Sequence, residues 1–175
     1  MAKSATGAAR STSRSIARVT LTLTRGVAAG WLAGIPQVLV AQAEERLLGL
    51  PRESADIGPR FVRRAAQHTG ARLSRPMQWL VAGVFHFEYA AWWGALYAAA
   101  VELIGWRRVP PLLGAAVLGS VIYAAAFSPL GGATRTGAER PVGQRRWRET
   151  LLHWSAALSF ALTAAFAYNR LREQW

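Results

Sequence analysis

The sequence contains no cysteine. Its absence excludes a disulfide framework, a thiolate metal site and a cysteine nucleophile. Acidic residues are also scarce, with 9 Asp and Glu against 21 Lys and Arg, and the first 26 residues have none. Polar residues are confined to a few stretches between long apolar runs, and 52% of the chain is hydrophobic. This distribution is typical of a chain whose solvent is lipid rather than water.

The formal charge of +12 would suggest a nucleic-acid partner in a soluble protein. All but one of the basic residues are Arg, and they lie mostly in the tails and between the apolar runs. Such residues are attracted to anionic lipid by about 1 kcal/mol each near the membrane surface. We therefore expect the lipid bilayer, and no nucleic acid, as the partner of these charges.

Four segments approach the roughly 20 apolar residues that a helix needs to cross the hydrocarbon core. The sequence predicts an all-α integral membrane bundle of four transmembrane helices in a domain over residues 25–170. A soluble protein with four buried helices would need amphipathic partner helices, which the chain hardly provides. Residues 1–24 are predicted to be a flexible basic tail, with an organellar transit peptide as the alternative, and residues 171–175 a C-terminal tail. The predicted spans are about 26–43, 77–104, 109–127 and 151–168.

Two polar segments connect these spans. Residues 59–68 predict a short amphipathic helix with apolar residues opposite Arg60, Arg63 and Arg64. Such a helix lies along the membrane surface or packs, solvated, on the end of the bundle. Residues 128–146 are rich in Gly, Pro and Arg and predict an irregular loop without a phosphate-binding fingerprint.

Small residues at a spacing of four predict where the helices pack, because close backbone approach drives helix association in lipid. Gly26, Gly30 and Gly34 form such a groove along span one. Spans two and four share a row in which a histidine is followed by small residues, so we expect two related helical hairpins. The rows are His86, Ala90, Gly94 and Ala98 in span two, and His153, Ala157, Ala161 and Ala165 in span four.

Equivalent hairpins would place His86 and His153 at similar depth, both facing the interior. One hypothesis is that each histidine makes a packing hydrogen bond. The other is that the pair ligates a shared haem or chlorin, since neutral imidazole offers a nitrogen lone pair. Glu88 lies on nearly the opposite face of its helix from His86 and is a candidate for a proton or solute path.

The runs RGVAAGWLAGIPQ, ERLLGLPRESADIGPR and HFEYAAWWGALYAA, with a last span that opens LLHW, give the chain a family resemblance. Over residues 25–170 it resembles a family of small bacterial inner-membrane proteins of unknown function typified by YagU. The resemblance implies a location in the bacterial inner (cytoplasmic) membrane and a role in stress or acid tolerance. It carries over no catalytic residues.

These observations predict a multi-pass, non-enzymatic structural or accessory component of a membrane assembly, without a cofactor. It would assemble with itself or with a larger complex through the Gly26, Gly30 and Gly34 groove. The alternative is a cofactor-binding or proton-conducting bundle that uses His86 and Glu88 together with His153. Basic residues ahead of the first span favour termini in the cytoplasm.

Overall fold

The computed structural model describes residues 3–51 and 54–174, and these residues form helices and no strands. Two short 3-10 turns, Trp106–Arg108 and Val142–Gln144, interrupt the connections. The helices are α1 (Lys3–Leu47), α2 (Ile57–His68), α3 (Arg75–Leu103), α4 (Pro111–Phe127), α5 (Gly132–Arg135) and α6 (Trp147–Glu173).

Two helices extend beyond the predicted spans. α1 begins at Lys3, so residues 3–24, which we expected to form a separate tail, are helical and continue into the first span. α6 runs to Glu173 and includes part of the expected C-terminal tail. The extensions are polar. Spans predicted from apolar runs are therefore shorter than the helices that contain them.

Among the described residues, three regions are long and apolar enough to cross a membrane: Ser15–Leu47, Pro111–Arg135 and Trp147–Glu173. A membrane protein is therefore plausible on composition and length. α3 has 29 residues, about 44 Å at 1.5 Å per residue, so it is long enough to span. The mean hydropathy of α3 is reduced by His86, Glu88 and several Trp and Tyr side chains. α3 is therefore not one of the three regions.

The four long helices pack as a layer in the order α3, α1, α6, α4. α1 packs antiparallel to α3, and α4 packs antiparallel to α6. The contact of α1 with α6 joins the two pairs. The core is dominated by alanine, which lets backbones approach closely. Its larger members are Tyr97, Leu118, Ile122, Phe160 and Tyr168.

The turn between α3 and α4 depends on Gly105, whose φ of 82° lies in the left-handed region that glycine adopts without steric cost. Pro111 then occupies the first turn of α4, where its missing amide hydrogen is least costly. The chain reverses within a few residues, and this places Arg107 and the end of α6 at the same end of the layer.

At the opposite end, α2 packs against the start of α3. The Phe61 and Phe85 rings stack with centroids 5.0 Å apart, and Val62 is buried. Arg63 and Arg64 are exposed. α2 thus contacts the bundle through its apolar side and exposes these two arginines. α2 and the segment that contains α5 together cover this end, called the capped end below.

Candidate functional site

The small residues predicted to pack helices lie in the contact between α1 and α3. A Cβ atom at Gly26 would lie 2.7 Å from the Gly94 carbonyl oxygen, and one at Gly30 would overlap the Ala90 carbonyl. Gly34 faces His86. The groove is thus filled by a helix of the same chain. The expectation that it serves as the surface for assembly is therefore wrong, because no partner can enter it.

His86 is half-buried and contacts α1. Its Nε2 lies 3.0 Å from the Gly34 carbonyl oxygen, and in the tautomer with a proton on Nε2 the ring donates this hydrogen bond. Gly34 has no side chain to keep the ring away from its carbonyl. Of the two hypotheses for His86, this contact is the kind that a packing hydrogen bond would make.

His153 has a different environment, near the start of α6. It is the buried polar residue of the described core, 3% exposed, and its ring stacks on Phe127 at a centroid distance of 4.7 Å. His153 Nε2 lies 3.3 Å from Glu139 Oε2. Its Nδ1 is buried without a hydrogen-bond partner.

The two histidines do not lie at similar depth, contrary to the expectation from equivalent hairpins. His86 is level with Gly34. Ser155, two residues after His153, donates to Glu44. Ten residues of α1 separate these levels, which is about 15 Å along a helix axis. The repeat of small residues runs at different heights in the two pairs, and the structure does not bring the histidines together around one ligand.

Glu139 is the centre of a cluster of ion pairs beneath the capped end. Its Oε2 accepts a hydrogen bond from Arg60 at 2.9 Å, and Arg145 Nε lies 3.9 Å from its Oε1. With His153, the cluster joins α2, the loop before α6 and α6 itself. A carboxylate with three basic neighbours can hold these segments in one arrangement, although α2 is far from the other two in the sequence.

The neighbours of Glu139 control its ionisation. Burial by itself raises the pKa of this carboxyl. The hydrogen bonds from His153 and from the Arg140 amide, together with the charges of His153 and Arg60, outweigh burial and lower the pKa from 4.5 to about 2. The carboxylate is therefore ionised throughout the physiological range.

Arg145 supplies the second buried charge. Its side chain is 0% exposed, its guanidinium carbon lies 4.8 Å from the centre of the Phe127 ring, and its Nε donates to the Arg140 carbonyl. Burial lowers the pKa of Arg145, although the charge of Glu139 opposes the effect. Nη1 and Nη2 have no hydrogen-bond partner among the described residues. Phe127 is thus sandwiched between Arg145 and His153.

Sequence reasoning identified His153 but missed Glu139, Arg60 and Arg145. One signal was present, since Glu139 is the single acidic residue in the Arg-rich segment 128–146. A lone carboxylate among arginines is a candidate for an ion-paired centre.

Glu88 is exposed on α3 and faces away from α1. The spacing of two from His86 predicts this, because such residues lie on nearly opposite faces of a helix. Val84 and Trp92, four residues before and after it, are 58% and 62% exposed. We call these three residues the outer row of α3.

Comparisons with known proteins do not assign the chain to a family. No family model, curated protein or solved structure matches this chain.

Proposed function

We propose that the chain is a four-span, non-enzymatic protein of the bacterial inner membrane that acts as a structural or accessory component of a membrane assembly. In this proposal α3 is the fourth span, and the outer row of α3 is the contact surface. α2 lies at the membrane interface, beside the polar end of the bundle.

The length and packing of α3 support its role as a span. It lies antiparallel to α1, from Gly26 opposite Ala98 to Gly34 opposite His86. A helix packed along the middle of a membrane span occupies the same depth of the bilayer. Its Trp and Tyr residues lower its hydropathy but are compatible with lipid and with protein contacts.

The exposure of Glu88 is the observation that carries the assembly proposal. The residue lies between the levels of Gly30 and Gly34, near the middle of the apolar region Ser15–Leu47. An ionisable side chain at mid-membrane costs roughly 2.5–3.5 kcal/mol by insertion scales, and such residues almost always face protein or a water-filled cavity. A second protein surface over the outer row would remove this cost.

A second copy of the chain is the occupant that we infer. α3 is an edge helix of the layer, and a two-fold axis beside it would place the two Glu88 carboxyls next to each other. The two side chains would then make one interhelical polar contact away from lipid, and Trp92 adds apolar contact area. Two-fold dimers are also the commonest homo-oligomers.

The test is the oligomeric state of the purified chain in mild detergent, together with cross-linking in membranes. Glu88→Leu removes the polar contact and should weaken dimerisation several-fold, as expected for one interhelical polar contact. Glu88→Gln keeps a hydrogen-bonding group and should retain the dimer. Ser120→Leu is the matched control, because Ser120 is a polar residue exposed on α4. A wild-type monomer at all concentrations, or a dimer unaffected by Glu88→Leu, would contradict the proposal.

The alternative function is proton transfer through Glu88. The exposure of this residue at mid-membrane also favours that function. The Gln variant separates the two, because it retains a hydrogen-bonding side chain but cannot carry a proton. Proton flux in liposomes that is abolished by Glu88→Gln, with the dimer intact, would favour conduction. Equal and negligible proton flux in the wild-type chain and in Glu88→Gln would favour the structural role.

A further inference from the structure

A cavity of about 670 Å³ opens at the end of the layer opposite the capped end. It lies between the last turns of α3 and α6 and the first turn of α4, and its volume is within the range of about 300–1,000 Å³ usual for ligand sites. α3 and α4 are not neighbours in the order α3, α1, α6, α4, although Tyr97 reaches Gly114, and a cleft remains beside this contact. Its apolar wall is formed by Val101, Leu112, Leu162 and Phe166.

The polar wall of the cavity is basic. Among the described residues, Arg107, Arg170 and Arg172 line it, together with the carboxylate of Glu173. Glu102 lies behind the wall, pairing with Arg107 and lying 3.6 Å from Arg172 Nη1. Even with Glu102 counted, the site keeps a surplus of positive charge.

Two of these arginines are not fully engaged by protein groups. Arg172 Nη1 is buried and lies 3.6 Å from Glu102 Oε1 without a hydrogen bond, while the Arg172 side chain as a whole is 32% exposed. The Arg170 side chain is 66% exposed, and its carboxylate neighbour Glu173 is 4.0 Å away and itself 63% exposed. Both guanidiniums therefore have donor capacity for an anion in the cavity.

The surroundings of the cavity match the boundary between headgroups and hydrocarbon. Trp106 and Tyr97 lie on its wall, and such amphipathic aromatic residues are enriched at this level of a bilayer. Leu103 and Ile104, in the adjoining turn, are 68% and 75% exposed. A ligand in the cavity would therefore have charge at one end and hydrocarbon at the other.

We propose that this cavity binds one anionic phospholipid. The phosphate lies against Arg170 and Arg172, and the acyl chains follow the wall formed by Leu112, Leu162 and Phe166. Guanidinium groups match phosphate geometry and form strong charge-assisted hydrogen bonds with it. Basic pockets between transmembrane helices bind acidic lipid headgroups for the same reason.

The test uses native mass spectrometry of the full chain, purified in mild detergent and titrated with phosphatidylglycerol or with phosphatidylcholine of the same chain length. We expect one phosphatidylglycerol to be retained in preference to phosphatidylcholine. Arg170→Gln should weaken this binding about tenfold, the effect of one charge-assisted hydrogen bond. Arg108→Gln is the matched control, because Arg108 is exposed in the same turn region but does not line the cavity.

A second variant tests the cavity itself. Asn169 lines it and is half-buried, so Asn169→Phe should fill the space and reduce retention while the helical circular dichroism stays unchanged. Equal retention of both lipids, equal weakening by Arg170→Gln and Arg108→Gln, or unchanged retention in Asn169→Phe would each overturn the proposal. Displacement of the bound lipid by millimolar inorganic phosphate would also overturn it, since the site would then be one for free phosphate.

Discussion

The ionisation of Glu139 links the stability of the capped end to pH. Its pKa of about 2 lies below the ordinary value of 4.5, so its stabilising effect is complete above about pH 4.5 and is lost as the pH falls toward 2. A difference of this size corresponds to about 3 kcal/mol. We expect the free energy of unfolding, measured in mixed micelles, to decrease by this order between pH 6 and pH 2. Glu139→Gln should remove this part of the pH dependence and destabilise the protein by about 3 kcal/mol at neutral pH, because the buried Arg145 and the half-buried Arg60 lose their counter-ion.

Glu173→Gln is the matched control for Glu139→Gln. Glu173 is 63% exposed, and exposed ion pairs contribute at most about 1 kcal/mol to stability. It should leave both the stability and its pH dependence nearly unchanged. If Glu139→Gln unfolded with the same pH dependence as the wild-type chain, Glu139 would not be the group responsible.

Among the helix contacts, we expect the contact of α1 with α3 to be sensitive to substitution of its glycines. In Gly30→Ala the added methyl group would overlap the Ala90 carbonyl, and the two backbones must separate. Overpacking of this kind typically costs about 1–3 kcal/mol. We expect a lower thermal unfolding midpoint in detergent for this variant.

Gly83→Ala is the matched control for this contact, because a Cβ at Gly83 meets nothing within 4 Å. Within a helix, Ala is favoured over Gly by roughly 0.5–1 kcal/mol, so this variant should be as stable as the wild-type chain or slightly more stable. Equal unfolding midpoints for the two variants would show that α1 and α3 do not approach as closely as described.

The topology of the whole molecule tests whether α3 crosses the membrane. Because the chain has no cysteine, single cysteines at Thr69, Arg108, Gly137 and Gln174 can be labelled with a membrane-impermeant maleimide. Four spans predict that positions 69 and 137 are labelled from one side of the membrane, and positions 108 and 174 from the other. If α3 lay on the surface instead, positions 69 and 108 would be labelled from the same side.

Local sequence was sufficient for the features that depend on composition and short spacing. The apolar runs predicted the all-helical fold, and three of the helices are confirmed as apolar and long enough to span. The spacing of two residues between His86 and Glu88 predicted that they lie on opposite faces. Such features follow from the 3.6-residue period and from the transfer of side chains into lipid, and both act along a single helix.

Only the tertiary structure decided which surfaces meet. The groove at Gly26, Gly30 and Gly34 is filled by α3 of the same chain, and Glu139 pairs with Arg60, 79 residues away. His86 and His153 have similar sequence surroundings but lie at different depths, because each depth depends on how its helix is packed against α1. The reason is that a helix specifies the pattern on its own faces, while the partner of each face and its height are determined by the packing of all the helices together.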